Sequence, residues 1–321
     1  MDLIMINSSL HETGIICADV DIEIGTSEAL NNFEFNNIME FPAAGFYIEG
    51  TEYGGMIEWD KTSSSSEKMT LKGWTWRGLL TQDIIIPPPG YDYRIVSGDA
   101  NDIIRNMLPG ILGGFFTTPE TPSGCTITNY QFPLYINVLD GWMGMLEGSG
   151  YRLSIHADKP AEGQAVAVTV EAVEADQIEG TANEDSPYTV EITNNRMGIN
   201  HLVCMGRGEL QNRQRWDLFV GEDGQISPFP YYTGFAERTA YYDYGNAESM
   251  DELKKHGRER LLSIASSRTV QIRANGSQDA EVGDVVQASL GGEVITTPIV
   301  KKIVKIKDGV PTYEYKTKDE Q

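Results

Sequence analysis

Cysteine is scarce in this chain of 321 residues: Cys17, Cys125 and Cys204 stand far apart, with no CxxC pair. Three scattered thiols suggest neither a zinc site nor a disulfide framework, and a reducing cytoplasm is the simplest folding compartment. Histidine is nearly as rare. His156 shares a strand face with Asp158 two residues on, but two ligands do not complete a metal site. His256 lies opposite the apolar stripe of a helical segment and reads as a solvated residue, and His201 has no nucleophile beside it. No G-x-S-x-G, HExxH, P-loop or G-x-G-x-x-G occurs, and no nucleophile with a partnered base is visible, so an enzyme is disfavoured and no cofactor is expected. Long apolar runs are missing too. The N-terminus MDLIMINSSL lacks a basic leader region, so neither a signal peptide nor a membrane span is expected.

Positive charge is short. Lys and Arg number 25 against 47 Asp and Glu, giving a formal net charge of −22 and a pI near 4.5. Such a surface repels phosphate backbones and argues against sequence-specific nucleic-acid binding.

What the chain does have is β signal. There are 33 glycines and 15 tyrosines, a composition that favours strands and turns. In DVDIEIG, Val20, Ile22 and Ile24 alternate with Asp19, Asp21 and Glu23, which puts the acids on a solvated sheet face rather than around a cation. GGMIEWDKTSSSSEKMTLKGW reads as a hairpin with a long polar loop. Helical spacing takes over in SGDANDIIRNML, with Asp99 as cap and Pro109-Gly110 as stop. INVLDGWMGMLEGSG predicts a second helix with Leu139, Trp142, Met143 and Leu146 on one side and Gly148 closing it. Residues 249–266 predict a third, opened by the S-x-x-E box of Ser249 and Glu252 and striped by Met250, Leu253, Gly257, Leu261 and Ile264. MGRGEL reads as the continuation of a strand. The fold class is mainly β with α/β inserts: a first β-barrel domain over 1–93, an α/β domain over 94–187, and a second β-barrel domain over 188–321 with helix 249–266.

LKGWTWRGLL concentrates two of the five tryptophans. Met69 and Leu71 fall on odd strand positions, Trp74 and Trp76 on even ones, so a bulge or bend at Gly73 would bring all four to one face. Two readings follow. Buried rings would brace a barrel corner; exposed rings would make a carbohydrate- or cell-wall-binding platform. Arg77 can stack on a ring or pair with a carboxylate.

Four segments together resemble siphovirus-type phage tail proteins of the baseplate or tail-tip hub class. They are GGMIEWD with LKGWTWRGLLTQDIIIPP, then GDANDIIRNML, then NRMGINHLVCMGRGELQNRQRWDLF, then ELKKHGRERLLSIAS with VGDVV and a hairpin ending in TYEY. The resemblance runs from about Gly54 to Tyr315. It implies two tail-tube-like β-barrels joined by small α/β domains, a homotrimer, and a place in the virion tail after assembly in the host bacterial cytoplasm. The partners it implies are the tail tube protein, the distal tail protein and the tape measure protein, with phage DNA passing non-specifically and no membrane. It supplies no catalytic residues. The candidate structural or interface residues are Trp74, Trp76, Arg77, Arg207, Arg213, Arg215 and Trp216.

Overall fold

Alternation builds the principal sheet. In the strand Val20–Gly25, Val20, Ile22 and Ile24 are buried while Asp21 is exposed, the period-two division expected of a half-buried strand. The computed structural model describes residues 1–63, 66–181, 188–195, 197–221, 224–274, 280–290 and 293–318. The molecule is mainly β, with 43% strand against 18% helix, and its large sheet curls into a half-barrel.

Two compact units divide the chain: Met1–Val190 with Ile272–Thr317, and Glu191–Gln271 with Lys318–Gln321. In the first unit, antiparallel strands run in the order Val310–Thr317, Glu293–Lys307, Val20–Gly25, Asn32–Ile38, Ser66–Thr75, Gly54–Ser63, Gly45–Tyr47, Leu3–Ile6, Glu12–Ile16. The closing strands, which the sequence reading groups with 188–321, thus pair with the first sheet: Val304 lies opposite Ile22 and Lys305 opposite Asp21. The outer face carries alternating charge. Glu23 meets Lys301 at 2.5 Å and Glu34 meets Lys72 at 2.6 Å. Among the described residues no group of three or more His, Cys, Asp or Glu is placed to hold a metal ion.

On the inner face Phe33, Phe35 and Phe46 meet edge-on, with Phe46 4.9 Å from each of the other two. The hairpin of Gly54–Ser63 and Ser66–Thr75 departs from the long loop expected. Ser63 pairs with Ser66, so the strands run into the serine tract, and Ser64 and Ser65 lie outside the described residues.

Helices α1 (Trp76–Leu80), α2 (Ala100–Met107) and α3 (Val138–Leu146) belong to the same unit. Asp99 caps α2, accepting from the Asn101 N–H at 2.9 Å. Leu139, Trp142 and Leu146 of α3 are buried, Met143 is half-buried, and Gly148 follows with φ +74°. Both helices share one apolar core with the antiparallel pair Tyr151–Asp158 and Ala167–Glu174.

In the second unit four strands, ordered Ile226–Ser227, Arg215–Val220, His201–Met205, Thr239–Asp243, form a sheet. Helix α4 (Met250–Ile264) buries Leu253, Gly257 and Leu261 with Leu202, Cys204 and Leu218. Its cap is Ser249, whose hydroxyl accepts from the Glu252 N–H at 3.2 Å. The Glu252 carboxylate reaches back to the Glu248 N–H at 2.6 Å, one residue before the reciprocal position of a capping box. A Cβ on Gly257 would fall 2.5 Å from Cys204 Sγ, so the glycine sets how closely α4 approaches the sheet.

Candidate functional site

The segment around Trp76 is a junction rather than a strand face. The strand ends at Thr75, whose hydroxyl accepts from the Gly78 N–H at 3.1 Å and donates to the Asn31 carbonyl at 2.9 Å. That cap starts α1 at Trp76. The expected phase flip at Gly73 does not occur: Leu71, Gly73 and Thr75 are buried, while Lys72 and Trp74 are half-buried on the other side. The register irregularity sits on the neighbouring strand, between Ile57 and Trp59. Gly73 serves close approach instead, since a Cβ there would lie 1.8 Å from the Met56 carbonyl oxygen and 2.7 Å from Phe33 Cζ.

Trp76 is fully buried and packs against Phe115 with centroids 5.9 Å apart. A platform of two exposed rings is therefore absent at Trp74 and Trp76. Arg77 is 1% exposed and grips Glu52, 3% exposed at its side chain, through Nε to Oε1 and through Nη2 to Oε2 at 2.9 Å. Nη2 also donates to the Leu153 carbonyl at 3.0 Å, and Nη1 approaches Met143 Sδ at 3.8 Å. One guanidinium thus ties α1 to the loop before Gly54, to α3 and to the strand Tyr151–Asp158, with its fork matched by the carboxylate.

Arg213, Arg215 and Trp216 fall in the second unit. Arg215 clasps Asp217 twice, at 2.8 and 2.7 Å, and this guanidinium holds the Asp217 carboxyl below the usual range. Asp217 also meets His201 Nε2 at 2.9 Å, while His201 Nδ1 faces Glu237 at 2.6 Å and the ring stacks on Phe219 at 4.2 Å. Arg213 binds the Gly206 carbonyl at 2.9 Å, the Tyr241 hydroxyl at 3.1 Å, and Asp243. Trp216 points the other way, toward the core side, with Lys254 of α4 4.4 Å over its ring. Arg207 is exposed in a turn, because the strand expected to continue through MGRGEL ends at Met205. Trp76 and Arg77 thus make a buried node in the first unit, and Arg213 and Arg215 lie on a sheet face of the second.

No protein-family model matches the chain, and no curated protein matches it in sequence. Solved structures do match. The prophage MuSo2 43 kDa tail protein from Shewanella oneidensis is similar over 99% of this chain and 98% of its own, with a TM-score of 0.50 at 10% identity. This chain has the fold of a prophage tail protein. The tail protein from Neisseria meningitidis MC58 is similar over 100% of this chain and 96% of that one, at TM-score 0.48 and 11% identity. Prophage tail protein gp18 from Listeria monocytogenes EGD-e is similar over 100% and 94%, at TM-score 0.46 and 10% identity.

Within this tail-protein fold the sequence gives no sign of two polar groups in the core. Glu52, the partner of Arg77, stands alone before a glycine pair and has no periodic signal. Lys302 is 0% exposed, 3.1 Å from Glu281 and 4.9, 5.3 and 5.9 Å from the ring centroids of Tyr53, Tyr313 and Tyr315. In KKIVKIK both phases carry lysine, so only the pairing of Lys302 with Ile24 reveals that it faces inward. No helix among the described residues is long and apolar enough to cross a membrane.

Proposed function

We propose that this chain is a structural protein of a bacteriophage or prophage tail, at the baseplate or tail-tip hub. The supporting observation is the match in fold to the prophage MuSo2 tail protein, which covers 99% of this chain and 98% of that one. In this reading the chain assembles as a homotrimer in the virion tail. Each copy contributes two tail-tube-like barrels, so three copies offer six barrels to a hexameric tube. The hub caps the tail tube, contacts the distal tail and tape measure proteins, and lines part of the DNA exit channel.

Charge supports a channel role. Residues 1–190 and 272–317 carry 34 acidic and 14 basic residues, whereas residues 191–271 carry 11 and 10. An acidic wall lets a polyanion pass without retaining it. Electron microscopy of the assembled protein tests the proposal: an axial channel lined by the first unit supports it, and a neutral or basic lumen overturns the assignment of the charge.

A further inference from the structure

His201 has a carboxylate at each ring nitrogen. Nε2 lies 2.9 Å from Asp217 Oδ1, Nδ1 lies 2.6 Å from Glu237 Oε1, and the side chain is 12% exposed. A neutral imidazole carries one N–H and can donate to only one of these carboxylates, whereas the imidazolium donates to both. Two contacts decide which nitrogen keeps its proton. Arg215 clasps Asp217 at 2.8 and 2.7 Å and holds it ionised, so Nε2 always faces a fixed acceptor. Phe219 stacks on the ring at 4.2 Å and holds its plane. Nδ1 has a second neighbour, the Thr239 hydroxyl at 3.1 Å. A hydroxyl can donate to the lone pair of a neutral ring, and a carboxylate cannot. Nδ1 therefore has one partner for each protonation state: Glu237 when it carries a proton, Thr239 when it does not.

Glu237 closes a segment that carries no other charge. Residues 224–236 contain no Asp, Glu, Lys or Arg, and Phe229, Tyr231 and Phe235 within them are 74, 58 and 101% exposed. The segment is joined to the sheet at its start, where Ile226 pairs with Val220. At its end the Asn200 side chain donates to the Ala236 carbonyl at 2.9 Å and accepts from the Arg238 N–H at 2.8 Å, contacts that do not titrate. His201 adds a hold that depends on a proton.

We propose that His201 is a proton-operated latch on residues 226–238: the imidazolium grips Glu237 and tightens the aromatic segment on the sheet, and the neutral ring accepts from Thr239 and lets Glu237 go. The charged groups facing the ring are Asp217 with its Arg215 from one neighbouring strand and Glu237 from the chain entering the other. The opposite face of the sheet, toward α4, presents Trp216 under Lys254 and Cys204, whose thiol is pushed up to about 11 by burial and stays neutral. The latch is thus closed at acid pH and opens as pH rises through the imidazole range, about pH 5 to 8. It requires nothing of the tail reading.

Hydrogen exchange of the full chain over that range tests it, corrected for the intrinsic pH dependence of amide exchange. The amides to read are Glu237, which donates to the Gly234 carbonyl at 3.2 Å, and Arg238. Their protection is expected to fall by about threefold or more between about pH 5 and pH 8. Glu237→Gln presents a neutral amide that can meet Nδ1 in either state, so it should flatten the change. Thr239→Val removes the donor to the neutral ring, so it should move the midpoint up by about half a pH unit. A role confined to packing would move neither. Both substitutions lie outside the core; should one variant melt lower, the other carries the test. Protection that does not change with pH in the wild type overturns the proposal. So does a change that persists undiminished in Glu237→Gln, or a midpoint that stays or falls in Thr239→Val.

Discussion

Arg77 and Glu52 are the residues on which the junction depends. Arg77→Ala leaves a carboxylate buried without its cation, and chemical denaturation should show a loss of about 3 to 5 kcal/mol. Replacing both partners, Arg77→Met with Glu52→Gln, should cost much less, because no buried charge is orphaned. Equal losses in the two variants would mean that packing, not charge, sets the stability there. Trp76→Ala should cost about 3 to 5 kcal/mol through the cavity it opens. Composition and burial tendency made Trp76 legible as a packing residue, but not its place. Alternation assumes a continuous strand, and the Thr75 cap that ends the strand is a local hydrogen bond which a period-two pattern does not encode. Glu52 was illegible for a similar reason: its partner is 25 positions away.

Elements with strong end signals were the legible ones. Asp99 before α2 and Ser249 before α4 were readable because a capping side chain must sit within a few residues of the N–H groups it satisfies. Asp99 does more than cap. Burial raises its pKa, but hydrogen bonds from the Ser123 N–H and hydroxyl and from the Gly124 and Asn101 N–H groups outweigh that and hold the carboxyl below its ordinary value. The lowered folded-state pKa means that this stabilisation is present above the unfolded carboxylate pKa of about 4 and is lost as pH falls through the folded value. Asp99→Ala should therefore cost about 1 to 2 kcal/mol at neutral pH, with the difference from wild type shrinking on acidification. Melting curves from neutral to acid pH check this, and a constant difference would contradict it. Helix α1 gave no such signal, since five residues are too few for a periodic stripe. The register irregularity opposite Gly73 was equally hidden, because it lies in the partner strand and only pairing exposes it.

At the scale of the whole molecule, charge was legible in amount but not in location. The sequence shows −22; the fold shows that the excess acid belongs to the unit holding the long sheet, while residues 191–271 are nearly balanced. Nor could alternation reveal that the strands at 293–317 join the N-terminal sheet, since strand partners distant in sequence leave no local mark. The central claim, a structural tail protein that assembles around a DNA path, is tested most directly by electron microscopy of the purified chain at its highest soluble concentration. The expected result is three copies about an open axis with an acidic wall. Particles with a closed axis, or monomers alone, would contradict it.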